Sequence, residues 1–425
     1  MLALILIGLP LVLLCLGVPI FVALIAASAL GIVALNIGTM DPVHVALFGG
    51  LDNFPLLAVP LFIFAGEVMG RGGIARRLVE WVLSIVGGVR GSLALATVAS
   101  AELFGSMSGS SVGCVAAIGR LMVPELTRRG YNTVFAGSLI ASCGAIATII
   151  PPSITMIIFG IAAQQSVPQL FLAGIVPGLL IGVLVSIYLL VYAQVEMIPL
   201  TGSLRWKNIL LTTRDAIWAL FAPIVILGGI YGGIFTPTEA AGIACVYAIL
   251  VARFIYNEMS WKELWQTAID SARVIAQILV IVSAAGAYSW LVTTSGFPAR
   301  LVETIAGFHL NTWMLLLIIN IVLLFVGTVL EPPAAILILT PLLMPLVNQA
   351  GVNPIHFGII FTVNLAVGMF IPPFGLNLFA THALFGVPLG KLYRGIFPFI
   401  VIYLIALALI TYIPEITLAP LKLWQ

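Results

Sequence analysis

Apolar runs long enough to cross a bilayer recur along the whole chain, and short polar or glycine- and proline-rich stretches interrupt some of them. A run of about 18 or more apolar residues predicts a membrane-spanning helix. The uninterrupted runs therefore predict a series of spanning helices. These cover residues of about 2–35, 55–70, 169–194, 215–233, 237–256, 273–294 and 395–414.

Composition agrees with this pattern. The chain is 62% hydrophobic and 8% charged, whereas a soluble domain carries roughly 25% charged residues. The four cysteines are scattered and have neither metal-binding nor redox spacing. The sequence contains no phosphate-binding loop, nucleophile elbow or ATPase signature. We therefore predict an all-α polytopic membrane protein that is not an enzyme and has no nucleic-acid partner.

Two parts of the chain resemble each other in the same order. The segment GGIARRLVE at 72–80 resembles SGFPARLVE at 295–303, and ATIIPPSITMIIF at 147–159 resembles GMFIPPFGLNLF at 368–379. The two matches have nearly the same offset, as Arg77 and Arg300 differ by 223 positions and Pro151 and Pro372 by 221. Shared composition alone would not preserve the order. The pattern predicts a duplicated structural unit.

The basic residues indicate that the two copies have opposite orientations. Arginines surround the polar stretch of the first copy, whereas Arg300 is the only basic residue in the equivalent segments of the second. Lys and Arg concentrate on the cytoplasmic side of membrane proteins. The pattern predicts an inverted repeat, as in many secondary transporters, with the N-terminus inside and the C-terminus periplasmic. The arginines of the first copy are Arg71, Arg76, Arg77, Arg90, Arg128 and Arg129.

Each copy is predicted to contain a surface helix, a re-entrant helical hairpin and a broken helix. Hairpins that span the membrane twice would also fit the hydropathy, but re-entry explains better why the basic pairs share one side. The predicted elements are 74–88, 91–126 and 134–163 in the first copy, and 297–309, 311–346 and 356–386 in the second. The predicted domains are a scaffold segment 1–54, repeat 1 over 55–164, scaffold helices 165–277, repeat 2 over 278–386 and a scaffold segment 387–425.

Four motifs mark the places where helices stop within the bilayer. They are GSMSGSS at 105–111, IIPPS at 149–153, GTVLEPPAA at 327–335 and FIPPFG at 370–375. Non-helical backbone at this depth survives only where protein or a cavity surrounds it. A helix that ends there exposes carbonyl groups, and a helix that begins there exposes N–H groups. The breaks therefore predict a site for a small hard cation, sodium first, beside a site for an anion.

Several side chains near these breaks have open roles. Glu331 either helps to neutralise a cation or is a protonated, hydrogen-bonded strut, and Glu102 and Glu67 carry the same alternatives. Arg120 lies ~13 Å beyond the first polar tip along a helix and either meets an anion, pairs with Glu102 or extends to the headgroups. The predicted substrate ligands are Ser110, Ser111, Ser153 and Asn377.

The four motifs resemble those of the large membrane subunit of tripartite ATP-independent periplasmic (TRAP) transporters, and the resemblance covers essentially the whole chain. It implies an elevator-type transporter coupled to two or more sodium ions. It also implies an organic-acid substrate such as a sialic acid, another sugar acid or a C4-dicarboxylate. The implied partners are a periplasmic substrate-binding protein and a small four-helix membrane subunit, expected here as a separate chain. The implied location is the bacterial inner membrane.

The resemblance also places the sodium sites. The first falls on Ser106, Ser108 and Ser110 of the first hairpin tip, with Gly144, Thr148 and Pro151 of the first broken helix. The second falls on Gly327, Thr328 and Glu331 of the second tip, with Gly368, Met369 and Pro372 of the second broken helix. The alternative functions are a stand-alone anion:sodium symporter of the same fold superfamily and a passive channel or scaffold component of an assembly.

Overall fold

The computed structural model describes residues 2, 4–35, 41–198, 200 and 205–424, and helices dominate this part of the chain. The terminal residues Met1 and Gln425, whose sides of the membrane the charge pattern predicts, lie outside the described residues. The first half contains α1 (Leu9–Cys15), α2 (Ile20–Leu35), α3 (Asp41–Gly49), α4 (Ala58–Arg71), α5 (Ile74–Val86), α6 (Ser92–Ser108), α7 (Ser111–Arg128), α8 (Thr133–Ile146), α9 (Ile154–Ala162) and α10 (Val167–Val195).

The second half has the same character. It contains α11 (Trp206–Tyr231), α12 (Pro237–Leu250), α13 (Trp261–Thr294), α14 (Phe297–Ala306), α15 (Thr312–Val329), α16 (Pro332–Gln349), α17 (Pro354–Gly368), α18 (Leu376–Phe385), α19 (Leu389–Gly395), α20 (Phe397–Tyr412) and α21 (Glu415–Trp424). Two π-helical segments, Leu4–Gly8 and Val251–Ile255, and a 3₁₀ turn, Phe54–Leu57, extend these helices.

Seven of the described helices are long and apolar enough to cross a membrane, or eight if the bent pair of α19 and α20 counts as one. Their outward faces are apolar, as on α10, where Leu179, Val183 and Ile187 are exposed. Exposed apolar stripes of this kind are stable in hydrocarbon and unstable in water. The all-helical polytopic membrane fold is confirmed.

The two ends of the chain are more divided than predicted. The single helix expected over 2–35 is broken after α1, where Gly17 has a φ of +81° and Pro19 lacks an N–H donor. The last predicted helix, 395–414, is α20, which is bent by 48° from α19. Helices α3 and α21 were not predicted, and α11 and α13 begin earlier than predicted. The predicted boundary between residues 277 and 278 falls inside α13.

The duplicated unit recurs at the level of helices. In repeat 1 the surface helix is α5, the hairpin is α6 and α7, and the broken helix is α8 and α9; the counterparts in repeat 2 are α14, α15, α16, α17 and α18. Ser111 and Pro332, which begin α7 and α16, differ by 221 positions, and Ile154 and Leu376, which begin α9 and α18, differ by 222. The copies also exchange partners, since α7 packs on α18 and α16 packs on α9.

The helices before the two surface helices show that the repeat is inverted. These helices, α4 and α13, pack against each other. Arg71 at the end of α4 contacts Asp270 near the start of α13, whereas Ile63 and Ile278 face the same cavity further along both helices. The two counterparts are therefore antiparallel. The surface helices that follow them lie at opposite ends of the molecule.

Candidate functional site at the hairpin tips

The tip of the first hairpin lies against the break in the first broken helix. A Cβ atom added to Gly105 would lie 2.7 Å from the Cα of Ala147. One added to Gly109, which has a φ of +58°, would lie 2.5 Å from the carbonyl oxygen of Pro152. Only glycine allows the two backbones to approach so closely. The end of α6 and the end of α8 therefore meet at one depth.

The second hairpin repeats this arrangement. A Cβ atom added to Gly368 would lie 2.3 Å from the carbonyl carbon of Gly327, so that the end of α15 lies against the end of α17. Gly327 and Gly368 follow Gly105 and Ala147 by 222 and 221 positions. Each repeat therefore brings two helix C-termini together, and helix C-termini carry unpaired carbonyl groups with partial negative charge.

The hydroxyl groups beside these contacts have matching hydrogen bonds. Ser106 donates to the carbonyl of Leu103 over 2.7 Å, and Thr328 donates to the carbonyl of Phe325 over the same distance. Thr148, which follows Ala147 at the first break, donates to Ala145 over 2.8 Å. Because each hydroxyl directs its hydrogen back into its own helix, its lone pairs remain available to a cation. These oxygen donors fit the chemistry of a sodium site.

The remaining predicted metal-site residues lie around the same contacts. Ser108 is buried and its hydroxyl has no hydrogen-bond partner among the described residues. Glu331 precedes α16, is exposed, and does not cap that helix with its side chain. Met369 accepts a hydrogen bond from the backbone of Asn377 over 2.8 Å. The other three predicted positions are glycine or proline and have no side-chain oxygen, so they could contribute only their backbone, namely Gly144, Pro151 and Pro372.

The predicted substrate ligands differ in what they contact. Ser111 donates to Asn377 over 2.9 Å, and Asn377 donates to the carbonyl of Ala141 over 2.8 Å, so this buried pair joins the first hairpin to the second broken helix. Ser153 donates to the carbonyl of Thr148 and accepts from the backbone N–H of Met156. All three ligands are buried in this conformation. Their substrate role stays a prediction.

Ser110 is the member of that set that faces open space. It caps α7 by accepting a hydrogen bond from Gly113 over 3.2 Å, and it lines a cavity of about 250 Å³. This cavity lies between hairpin 1 and helices α4 and α13. It adjoins a second cavity of about 430 Å³, lined by α4, α5, α6, α7 and Glu258. Together they form what we call the hairpin cavity, which leads from the first tip toward the end that carries Arg71 and Arg76.

A match to a protein-family model identifies the family of this chain. Residues 7–416 match the tripartite ATP-independent periplasmic transporter, DctM component. The chain belongs to the DctM family of TRAP transporters. It is therefore a multi-pass transporter permease and not an enzyme, as the motifs at the four breaks predict.

Similar proteins from other organisms match the sequence over nearly the whole chain. The C4-dicarboxylate TRAP transporter large permease protein DctM of Pseudomonas aeruginosa is 39% identical over 92% of each chain. The isethionate TRAP transporter permease protein DctMQ of Oleidesulfovibrio alaskensis is 38% identical over 94% of this chain, which spans 63% of that relative. Among solved structures, the YdaH transporter of Alcanivorax borkumensis has the same fold, with a TM-score of 0.58 at 14% identity over 88% of each chain.

Sequence reasoning did not predict that α4 and α13 together line this site of the TRAP permease. Arg71 contacts Asp270 over 3.0 Å and Glu67 over 3.2 Å, and Asp270 and Ser271 line the hairpin cavity with them. Arg71 and Asp270 are 199 positions apart, so no local pattern joins them. The one signal in the sequence was that α4 and α13 hold equivalent positions, each directly before the surface helix of its repeat.

Proposed function

We propose that this chain is the membrane permease of a three-component importer that couples uptake of a small organic-acid anion to sodium ions. The observation that supports it most strongly is the meeting of two hairpin tips with two broken helices. At the first tip, helix C-termini adjoin the helix N-termini that begin at Ser111 and Ile154. Carbonyl oxygens beside N–H groups suit a cation and an anion together.

The substrate class follows from the relatives. The similar Pseudomonas aeruginosa protein is named for C4-dicarboxylates and the Oleidesulfovibrio alaskensis protein for isethionate. Both are small anions with a carboxylate or sulfonate group. We therefore take C4-dicarboxylates as the first class to test, before sialic acids and other sugar acids.

The mechanism we infer is an elevator movement in the inner membrane. The hairpins and broken helices would move as one body against a scaffold that includes α10 and α13. We place α4 in this scaffold as well, although it lies within the predicted repeat 1, because it packs on α12 and α13. The hairpin cavity would then be the inward-open route in this conformation, because its wide end carries Arg71 and Arg76 and arginines concentrate on the cytoplasmic side. A periplasmic binding protein would deliver the substrate, and a separate four-helix subunit would complete the membrane part.

The experiment is uptake of radiolabelled succinate into vesicles that contain the complete transporter with its binding protein. We expect uptake to require an inward sodium gradient. Ser106→Ala and Thr328→Ala should each raise the sodium concentration for half-maximal uptake by about tenfold, roughly the effect of one lost charge-assisted contact. Thr127→Ala is the matched control, because Thr127 makes the same kind of bond, to Pro124 over 2.9 Å, far from either tip.

Different results would overturn different parts of the proposal. Uptake that ignores sodium in the wild type would contradict coupling, and unchanged sodium dependence in both variants would remove the tips from the coupling site. Uptake without the binding protein would favour a stand-alone symporter. Flux that only follows the substrate gradient would favour a channel.

A further inference from the structure

Small residues of α7 and α4 line a continuous part of the hairpin cavity. Gly113, Ala116 and Ala117 line it from α7, at positions that share one helix face. Gly66 and Gly70 line it from α4, and a Cβ atom added to Gly70 would lie 3.3 Å from the Cβ of Ala117. Long or branched side chains on either helix would fill this space. A passage therefore runs along α7 from the first tip toward the wide end.

One arginine lies at the far end of that passage. Arg120 lines the cavity and is exposed. It lies ten positions after Ser110 on the same helix, which corresponds to about 15 Å. The spacing from Gly113 through Ala116 and Ala117 to Arg120 keeps it on the cavity-facing side of α7. An anion that leaves the tip along α7 would meet this guanidinium group.

The other arginines of the cavity are already neutralised. Arg71 is paired with Glu67 and Asp270, at 3.2 and 3.0 Å. Arg76 is paired with Glu80 at 2.9 Å and with Glu258. Arg120 makes no ion pair or side-chain hydrogen bond with the part of the chain that the structure describes. It is therefore the cavity arginine whose five N–H donors are free for a ligand.

We propose that Arg120 is an anion-binding residue on the route between the first hairpin tip and the inner solution, and that it holds the carboxylate or sulfonate group of the substrate during release. This rests on the proposed function. An arginine attracts such a group over several ångströms and binds it through two parallel hydrogen bonds. Arg120 is part of hairpin 1. Its positive charge would therefore stay beside the route when the hairpin moves against α4.

The first test measures, without any substrate, how the positive charge of Arg120 affects the labelling of a nearby thiol by charged reagents. In a variant whose native cysteines are replaced, Ala117→Cys places a thiol one turn from Arg120 on the cavity side. The purified protein, in a non-ionic detergent that lacks phosphate headgroups, is labelled with an anionic and with a cationic methanethiosulfonate reagent. We expect Arg120→Gln to lower the ratio of the anionic to the cationic rate by about tenfold. Arg120→Lys should keep that ratio within about twofold, because the charge remains.

Arg128→Gln is the matched control for the labelling. Arg128 is on the same helix, two turns beyond Arg120, but it is paired with Glu125 at 2.8 Å and does not line the cavity. Its substitution should leave the ratio unchanged. An unchanged ratio in Arg120→Gln, or an equal change in both variants, would overturn the proposal.

The second test measures sodium-driven succinate uptake by the complete transporter. Arg120→Gln should reduce the maximal rate about fivefold or more, while the sodium concentration for half-maximal uptake stays the same, and Arg120→Lys should restore most of the rate. An unchanged maximal rate in Arg120→Gln would overturn the role in release. If the wild type takes up no succinate but the labelling ratio changes as expected, the substrate assignment fails and the anion site stands.

Discussion

The two hairpins follow one pattern but are covered differently. Every residue of α6 in hairpin 1 is buried or half-buried, and this helix packs on α5, α8 and α10. Its counterpart α15 in hairpin 2 packs mainly on α17, and its other side is exposed, as at Leu317, Ile321 and Phe325. Helix α6 of hairpin 1 is enclosed by protein, whereas its counterpart α15 in hairpin 2 has an apolar face that is exposed.

The difference is readable in the residues of the two helices. The segment SLALATVASAELFGSMS of α6 is rich in Ala and Ser, whereas TWMLLLIINIVLLFVGTV of α15 is rich in Leu, Ile and Val. Small residues allow membrane helices to approach closely, while bulky aliphatic residues suit a face against lipid. The duplicated units therefore share their breaks but have diverged in how tightly each hairpin is held.

The largest expected effect tests this difference in packing. Gly105→Ala would place a Cβ atom 2.7 Å from the Cα of Ala147, whereas Gly327→Ala would place one 3.3 Å from the Cα of Leu365. Because backbone atoms cannot yield easily, Gly105→Ala should lower the free energy of unfolding by about 2–3 kcal/mol and Gly327→Ala by about 1 kcal/mol or less. Thermal unfolding of the purified variants measures both.

Gly228 supplies the control for that pair, because it lies within helix α11 and a Cβ atom there meets nothing within 4 Å. Gly228→Ala should not destabilise the protein. A larger loss for Gly327→Ala than for Gly105→Ala would contradict the account of the two tips.

A second test concerns the bond that joins hairpin 1 to the other repeat. Asn377→Ala would leave the hydroxyl of Ser111 and the carbonyl of Ala141 without their buried partner, at a cost of about 2 kcal/mol. A double-mutant cycle with Ser111→Ala should give a coupling of about 1 kcal/mol. Thermal or denaturant unfolding measures it, and a coupling of zero would show that the two side chains act independently.

The equivalent positions in the other repeat explain why hairpin 1 makes the Ser111–Asn377 hydrogen bond and hairpin 2 has no counterpart of it. By the repeat offset, Pro332 and Thr155 correspond to Ser111 and Asn377, and proline carries no hydroxyl. Thr155→Val should therefore change stability by less than about 0.5 kcal/mol. A loss as large as that of Asn377→Ala would mean that hairpin 2 has an equivalent tie.

The smallest expected loss of stability concerns Glu258, which pairs with Arg76 and Arg77 of the surface helix α5. Burial disfavours ionisation of Glu258, but hydrogen bonds and charge from Arg76 and Arg77 outweigh it and hold the pKa of this carboxyl below its usual range. A lowered pKa stabilises the fold above the ordinary glutamate pKa of about 4.3. That stability is lost as the pH falls through the lower, folded-state pKa.

Glu258→Gln should therefore cost about 0.5–1 kcal/mol at pH 7, since such partly exposed pairs contribute little. The difference from the wild type should shrink at pH 4 and below, as unfolding temperatures across the pH range would show. Arg300→Gln, at the counterpart of Arg77, is the control, because Arg300 makes no ion pair within the described residues. A pH-independent loss in Glu258→Gln would exclude the charge as its cause.

The sequence predicted the repeats and their breaks because these depend on local chemistry. Glycine and proline at 105–111, 149–153, 327–335 and 370–375 cannot continue a regular helix, and each lies at an observed break. The break before α2 was missed because Gly17 and Pro19 lie in an otherwise unbroken apolar run. Pairings between distant helices were also out of reach, such as Ser111 with Asn377, 266 positions apart.

The central claim is that two copies of one unit enter the membrane from opposite sides, and single cysteines at the outer ends of α7 and α16 test it most directly. Arg128 and Asn348 lie at these equivalent ends and are both exposed. In intact cells, a membrane-impermeant thiol reagent should label Asn348→Cys and leave Arg128→Cys unlabelled until the membrane is permeabilised. Labelling of both positions from one side would contradict the inverted repeat.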